Sequence, residues 1–264
     1  MQKAVYEFEA EEIKIIPIGD LHIGSEGSYY KEALKFLDAV SEAKIIFLGD
    51  LIDNAVIGSL GDVYTQSENP HEALQIVQSI FEKYQERILG VVGGNHERRT
   101  KKRVGVDPLR LICESFKIPY SDDLLVVDIS LKQEGKKGRG SRNRVNYIIA
   151  VQHGMAGGRF PEKSQRQGRY FKGFFENADI YITGHTHVPD SFPSAIYGYN
   201  PRNKRIYKRT ARFVVVPAWV DENYARVGMY PPSASSKQII KLYANYKKKI
   251  KFDTIDEELI QSVL

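Results

Sequence analysis

Residues 44–54 read KIIFLGDLIDN. The apolar run Ile45–Leu48 is too short for a helix and is closed by a glycine, so residues 44–48 are expected to form a buried strand. Gly49 lets the backbone turn sharply, and Asp50 follows at once. The same arrangement lies on either side of this stretch. Upstream, residues 12–22 read EIKIIPIGDLH, a strand over 12–18 that ends at Gly19-Asp20. Downstream, residues 88–97 read ILGVVGGNHE, a strand over 88–92 that ends at Gly93-Gly94-Asn95. The segments between carry apolar residues at helical spacing: Ala33, Leu34, Phe36, Leu37 and Val40, then Leu74, Val77, Ile80 and Phe81. Strand, helix, strand, helix, strand implies a parallel β-α-β arrangement. In open α/β sheets, ligands gather beyond the carboxyl ends of the strands, which is where these polar residues fall.

Further along, Asp107-Pro108 opens a helix running to residue 116. Residues 124–130 and 145–152 read as the two strands of a hairpin, and their connection, 131–144, is rich in Lys, Arg and Gly. A helix is expected over 168–177 and a strand over 178–183, ending at Gly184. Further strands are expected near 204–207, 212–216 and 238–243. With no internal repeat and no clear linker, the 264 residues are expected to form a single domain, with the 131–144 loop and the C-terminal third as elaborations. Apolar content is 42% and charged content 27%, ordinary for a globular chain. The net charge of +5 is compatible with an anionic substrate without requiring one. A single cysteine, Cys113, rules out an internal disulfide and reads as a buried thiol. No stretch approaches the length of a membrane span and no leader opens the chain. A cytoplasmic protein with no membrane partner is therefore expected, and its oligomeric state is left open.

Five segments carry the chemistry: Gly19-Asp20-Leu21-His22, Gly49-Asp50-Leu51-Ile52-Asp53-Asn54, Gly94-Asn95-His96-Glu97, Gln152-His153-Gly154 and Gly184-His185-Thr186-His187. Five of the six histidines fall inside them. Taken singly, each has a plainer reading: Asp20 or Asp50 as a helix cap, Asn95 as a turn residue, His153 as a core histidine. His185 and His187 are harder to set aside, because alternate positions of an extended segment put both rings on one side. His71, after Asn69-Pro70, reads as structural or exposed. Carboxylates, an amide oxygen and imidazoles, with no thiolate, suit Mn²⁺, Fe or Zn²⁺ better than Ca²⁺ or a soft metal, and Mn²⁺ is the first expectation. The donors outnumber what one ion needs. Two ions sharing a carboxylate would use them, typically ~3.5–4 Å apart.

In this order, Asp-x-His, Gly-Asp-x-x-Asp, Gly-Asn-His-Glu, His-Gly and Gly-His-x-His resemble the calcineurin-like metallophosphoesterase superfamily, over roughly residues 15–189. The resemblance implies a four-layer αββα sandwich: two mixed β-sheets flanked by helices. It implies two divalent cations, one held by Asp20, His22 and His187, the other by Asn95, His153 and His185, with Asp50 between them. It also implies that His96 is the general acid or contacts phosphate. Asp53 and Glu97 are then candidates to accept from the second nitrogens of these imidazoles, and Glu97 could equally pair with Arg98 or Arg99. The implied activity is hydrolysis of phosphate esters.

The substrate is less legible. Three basic loops, 98–103, 136–144 and 159–169, are candidates for substrate contact. The first and third begin near the expected ligands and could meet further phosphates, Arg98 among them, while the plain reading, solvated surface, is preferred for the hairpin tip 136–144. Met155-Ala156-Gly157-Gly158 could offer backbone N–H groups to a phosphate. A phosphorylated small molecule, including a nucleotide, is the first expectation and a DNA or RNA nuclease the alternative. A non-catalytic scaffold is the remote third reading, disfavoured because the full set of candidate ligands is present.

Overall fold

The structure is a computed structural model that describes residues 1–57, 63–133, 144–154, 162–227, 237–244 and 248–255. In chain order the strands are β1 (Gln2–Glu9), β2 (Glu12–Ile18), β3 (Lys44–Phe47), β4 (Ile88–Val92), β5 (Tyr120–Ser121), β6 (Leu125–Lys132), β7 (Arg144–Val151), β8 (Ile180–Thr183), β9 (Asp190–Asn200), β10 (Arg205–Val215), β11 (Lys237–Tyr243) and β12 (Ile250–Ile255). The helices are α1 (Tyr30–Ala39), α2 (Pro70–Tyr84), α3 (Glu97–Val104), α4 (Pro108–Ser115), α5 (Glu162–Phe174) and α6 (Glu222–Val227).

Two six-stranded mixed sheets stack face to face. One has the order β1-β6-β7-β8-β10-β9, the other β12-β11-β2-β3-β4-β5. The sequence of β2 shows why the middle strands are almost wholly apolar. Ile13 and Ile15 face the core between the sheets, while Ile16 and Ile18 face the helices outside. A strand buried on both faces cannot alternate with polar residues. Inside the sandwich, Ile15, Ile46, Leu89 and Leu242 meet Val127, Tyr147, Ile182 and Val214. Outside the second sheet, α1, α2 and α4 contribute Phe36, Leu37, Val77, Phe81 and Leu109. Outside the first, Phe171 of α5 packs with Tyr181 and Phe213. The result is the expected four-layer αββα architecture.

Local signals account for the helix ends. Asn69 caps α2 by accepting from the N–H groups of His71 and Glu72 at 2.9 and 3.1 Å. Glu72 returns the bond, accepting from Asn69 N–H at 2.9 Å with Pro70 at the first turn. Asp107 caps α4 in the same manner, accepting from Arg110 N–H at 3.2 Å. Cys113 is buried and free, and burial pushes its thiol up.

Several elements depart from the sequence expectation. Residues 2–9, with no clear periodicity, form β1 because β6 offers an edge that it joins in parallel. The basic stretch after His96 is not a loop but helix α3, closed by Gly105 in the left-handed conformation at φ 73°. The separate strands expected near 204–207 and 212–216 are one strand, β10, paired along its whole length with an unforeseen partner, β9. The edge strand β12 was also unforeseen. The tip of the β6–β7 hairpin, the segment 155–161 and residues 228–236 lie outside the described residues. No helix among those described is long and apolar enough to cross a membrane.

Candidate metal centre

The chemistry-bearing segments all follow strand ends: Asp20 and His22 after β2, Asp50 and Asp53 after β3, Asn95 and His96 after β4, His153 after β7, His185 and His187 after β8. The first three strands belong to one sheet and the last two to the other, so the centre lies where both sheets present their carboxyl ends. Main-chain bonds tie the segments together. Asp20 N–H donates to Gly49 O at 3.0 Å, His22 N–H to Asp50 O at 3.0 Å and Gly184 N–H to His153 O at 2.8 Å. Asp20, His22, Asp50, His185 and His187 have φ between 47° and 71°. Non-glycine residues rarely adopt these values, and such strain collects at functional sites held by their surroundings.

The donor atoms converge. Three sets each lie within 4.8 Å: Asp20, His22 and His187; His22, Asp50 and His96; Asp50, His153 and His185. They form a string through shared members, His22 and Asp50. Asn95 joins it, with Oδ1 2.9 Å from His153 Nε2. All seven ligand candidates read from the sequence therefore meet in one cluster, and Asp20, His22, Asp50 and His153 are buried.

Proton positions follow from the hydrogen-bond network and test whether the cluster fits a cation. His153 Nδ1 lies 2.6 Å from Leu48 O, which can only accept, so that nitrogen carries the proton. Its Nε2 then points a lone pair at two further acceptors, Asn95 Oδ1 at 2.9 Å and Asp50 Oδ2 at 3.2 Å. His22 is placed similarly, although either ring of its imidazole pair with His187 can hold the proton. Nδ1 faces Asp53 Oδ1 at 3.4 Å, and Nε2 faces His187 Nε2 at 3.3 Å. Acceptors turned towards one another need a positive charge between them, and oxygen and imidazole donors suit a divalent cation of borderline hardness. Without a cation the cluster recruits protons instead. Burial lowers the His153 pKa, but Asp50 and Asp20 outweigh it and hold it at about 9. Burial brings His22 down to about 4. Burial opposes ionisation of Asp50, yet His153 and His96 hold its carboxyl well below the usual range.

The remaining candidates divide. Asp53 is buried with Oδ1 3.3 Å from His96 Nδ1 and 3.4 Å from His22 Nδ1. Burial resists its ionisation, but these imidazoles hold its carboxyl far down. Among the described residues Glu97 bonds neither an imidazole nor an arginine. Its carboxylate accepts from the N–H groups of Asp50, Leu51, Ile52 and Gly94 at 3.1, 2.7, 3.3 and 2.9 Å, tying two ligand loops from beneath. Arg98 is engaged by Asp122 Oδ1 at 3.0 Å and by Gly93 O at 3.3 Å. The guanidinium that reaches the cluster is that of Arg99, 2.9 Å from His96 Nε2 and 2.8 Å from Asp53 O. The helical turn of α3 decides between these neighbours, because successive side chains leave a helix about 100° apart. His96 Nδ1 also bonds Asp53 O at 2.6 Å.

One contributor had no legible signal. Tyr224, on α6, sets its hydroxyl 3.2 Å from His22 Nδ1 and 3.3 Å from Asp53 Oδ1. Its loop is fastened by Trp219 N–H donating to Asp20 O at 3.0 Å and Asp221 N–H to Gly27 O at 2.8 Å. The Trp219-x-Asp221 stretch is an aromatic anchor beside a turn residue, a cue too generic to point at a site.

Comparison with known proteins bears on the family. No curated protein matches the chain significantly. Among solved structures, a phosphoesterase from E. coli shares 11% identity, covering 92% of this chain and 99% of its own, with a TM-score of 0.41. A metallophosphoesterase from Sphaerobacter thermophilus shares 11% over 96% of this chain and 98% of its own, TM-score 0.43. A Plasmodium protein described as the anchor in the inner membrane complex shares 9% over 94% and 85%, TM-score 0.49. Residues 13–189, more than half of the sequence, match the profile of the calcineurin-like phosphoesterases, and the chain belongs to that family.

Proposed function

We propose that this chain hydrolyses phosphate esters with two divalent cations, as a phosphatase or phosphodiesterase whose substrates include nucleotides. One observation supports the reading above others: the three donor sets form a continuous string through Asp50 and His22, longer than one cation would use. In this reading Asp20, His22 and His187 hold one cation. Asn95, His153 and His185 hold the other, and Asp50 serves both. Mn²⁺ suits these donors first, with Fe or Zn²⁺ next. When bound, such a pair neutralises phosphoryl charge and acidifies water.

The other residues position and donate. Asp53 and the Leu48 carbonyl fix the tautomers of His22 and His153, so that the coordinating nitrogens stay unprotonated. His96 is anchored through Nδ1 on the Asp53 carbonyl, and in the free site its Nε2 accepts from Arg99. Protonated as the imidazolium once a phosphoryl group draws Arg99 to itself, it would donate from Nε2 to a phosphoryl oxygen or to the leaving oxygen. Arg99, already beside that nitrogen, adds a fixed positive charge for the same phosphoryl group. Glu97 holds the Asp50 and Gly94 loops at their spacing.

Mn²⁺-loaded protein assayed on p-nitrophenyl phosphate, bis-p-nitrophenyl phosphate and labelled single- and double-stranded DNA tests the reaction and the substrate class together. Asp50→Asn and His96→Ala are each expected to lower turnover by roughly 100-fold or more. Only Asp50→Asn should empty the metal site, read as bound metal per chain. Full activity in either variant would refute these roles. A nuclease acting through the same centre is the second reading, favoured by α3, which carries Arg99, Lys101, Lys102 and Arg103 directly behind His96. Cleavage of the small esters with every nucleic acid left intact would eliminate it.

A further inference from the structure

The β9–β10 hairpin extends well past its neighbour. β8 pairs with β10 only from Arg212 to Val215, whereas β9 and β10 stay paired out to Asn200 and Arg205. The outer half is therefore a two-stranded arm, pointing away from the metal centre at the other end of β8. Its composition is unusual for a free hairpin. Residues 191–220 contain six Lys or Arg and no Asp or Glu. Along the arm, Tyr197 is 70% exposed, Tyr199 60%, Ile206 75% and Tyr207 51%.

The register arranges these residues by face. Tyr197 pairs with Lys208 and Tyr199 with Ile206, so both rings lie on one face beside a lysine and an isoleucine. That face continues the inner face of the sheet. Nearer the root it is covered, with Arg212 over the Phe252 ring at 5.7 Å. Two rings at alternate positions of a strand stand about 6.8 Å apart. On the opposite face, Lys172, Tyr207 and Arg209 line a groove between the arm and α5 whose lining also includes Glu176.

We propose that this arm is a binding site for single-stranded nucleic acid, separate from the metal centre and independent of the hydrolysis assigned to it. Exposed rings at strand spacing give successive bases a platform to stack on. Interleaved cations without acids track the phosphates. A duplex hides its base faces and would gain only the electrostatic part.

Anisotropy of a fluorescein-labelled 20-nucleotide dT probe, titrated with the full chain at 50 and 200 mM salt, tests this. The expected result is binding that weakens with salt. The double variant Tyr197→Ala/Tyr199→Ala should lose 10-fold or more in affinity while its hydrolysis of bis-p-nitrophenyl phosphate stays at the wild-type level. Lys208→Ala should weaken binding and flatten the salt dependence. Wild-type protein that leaves the probe free at 50 mM salt, or a double variant that binds equally, overturns the proposal. So does preference for a duplex of the same length, for anionic phosphatidylserine vesicles over the probe, or for a second copy of the chain in sedimentation. Loss of ester hydrolysis in wild-type protein would count against the metal centre alone, because the arm is read by binding.

Discussion

Gly94 shows how little room the ligand loops leave. A Cβ there would lie 2.1 Å from Asp50 Oδ1 and 2.2 Å from the Asp50 nitrogen, so even alanine must displace the Asp50 carboxylate. Gly94→Ala is expected to reduce bound metal and lower ester hydrolysis by about 100-fold, checked by metal analysis beside the assay. Glu97 is the complementary case. Its carboxylate satisfies four buried N–H groups, and stranding them costs roughly 1–3 kcal/mol for each that finds no water. Glu97→Ala should therefore lose stability by several kcal/mol, seen as a lowered thermal midpoint before any substrate is added. Tyr224→Phe removes only the hydroxyl shared by His22 and Asp53. It should leave the fold intact and cost about 10-fold in metal affinity or activity, the usual scale for a group that orients a ligand.

Among the elements, those announced by their own residues formed as expected. α2 carries a cap, a proline and a buried stripe of Ala73, Val77, Ile80, Phe81 and Tyr84, and each cue is local. Asn69→Ala should cost about 1 kcal/mol and lower the thermal midpoint by roughly 2–4 °C without touching turnover, because α2 carries none of the candidate ligands. β1, β9 and β12 were missed for one shared reason. Each is a sheet edge or an arm whose pattern is set by the strand it meets. β9, with Pro193 and Gly198, reads as turn material until β10 pairs with it. α3 was hidden differently. Lys101, Lys102 and Arg103 gave no apolar stripe, yet they suit the last turn, where cations meet the helix dipole.

Across the molecule, the centre couples two sheets, so stability and metal binding are linked. Chelation with EDTA is expected to lower the thermal midpoint, and excess Mn²⁺ should restore it. The chelated protein should also show its own pH dependence. His153 sits at about 9 when no cation is present, above the ordinary value of about 6.5. A raised base contributes stability that is complete below about 6.5 and fades as pH climbs towards 9. The midpoint of the chelated chain should therefore fall across that window by more than that of a His153→Gln variant treated alike. Equal slopes would show that His153 does not hold the proton.

Sequence by itself determined the alternation of buried strands and helices, the placing of polar residues after glycines at strand ends, and, through the family its motifs resemble, the candidate donors Asp20, His22, Asp50, Asn95, His153, His185 and His187. These are properties of short stretches, fixed by periodicity, backbone permissiveness and ligand chemistry. Only the tertiary structure decided that Arg99 rather than Arg98 faces the cluster, that Glu97 binds backbone, and that Tyr224 arrives from more than two hundred residues beyond His22. Those outcomes depend on which surfaces meet when two sheets stack, and the free energy of that meeting is spread over residues far apart in the chain, where no local pattern records it.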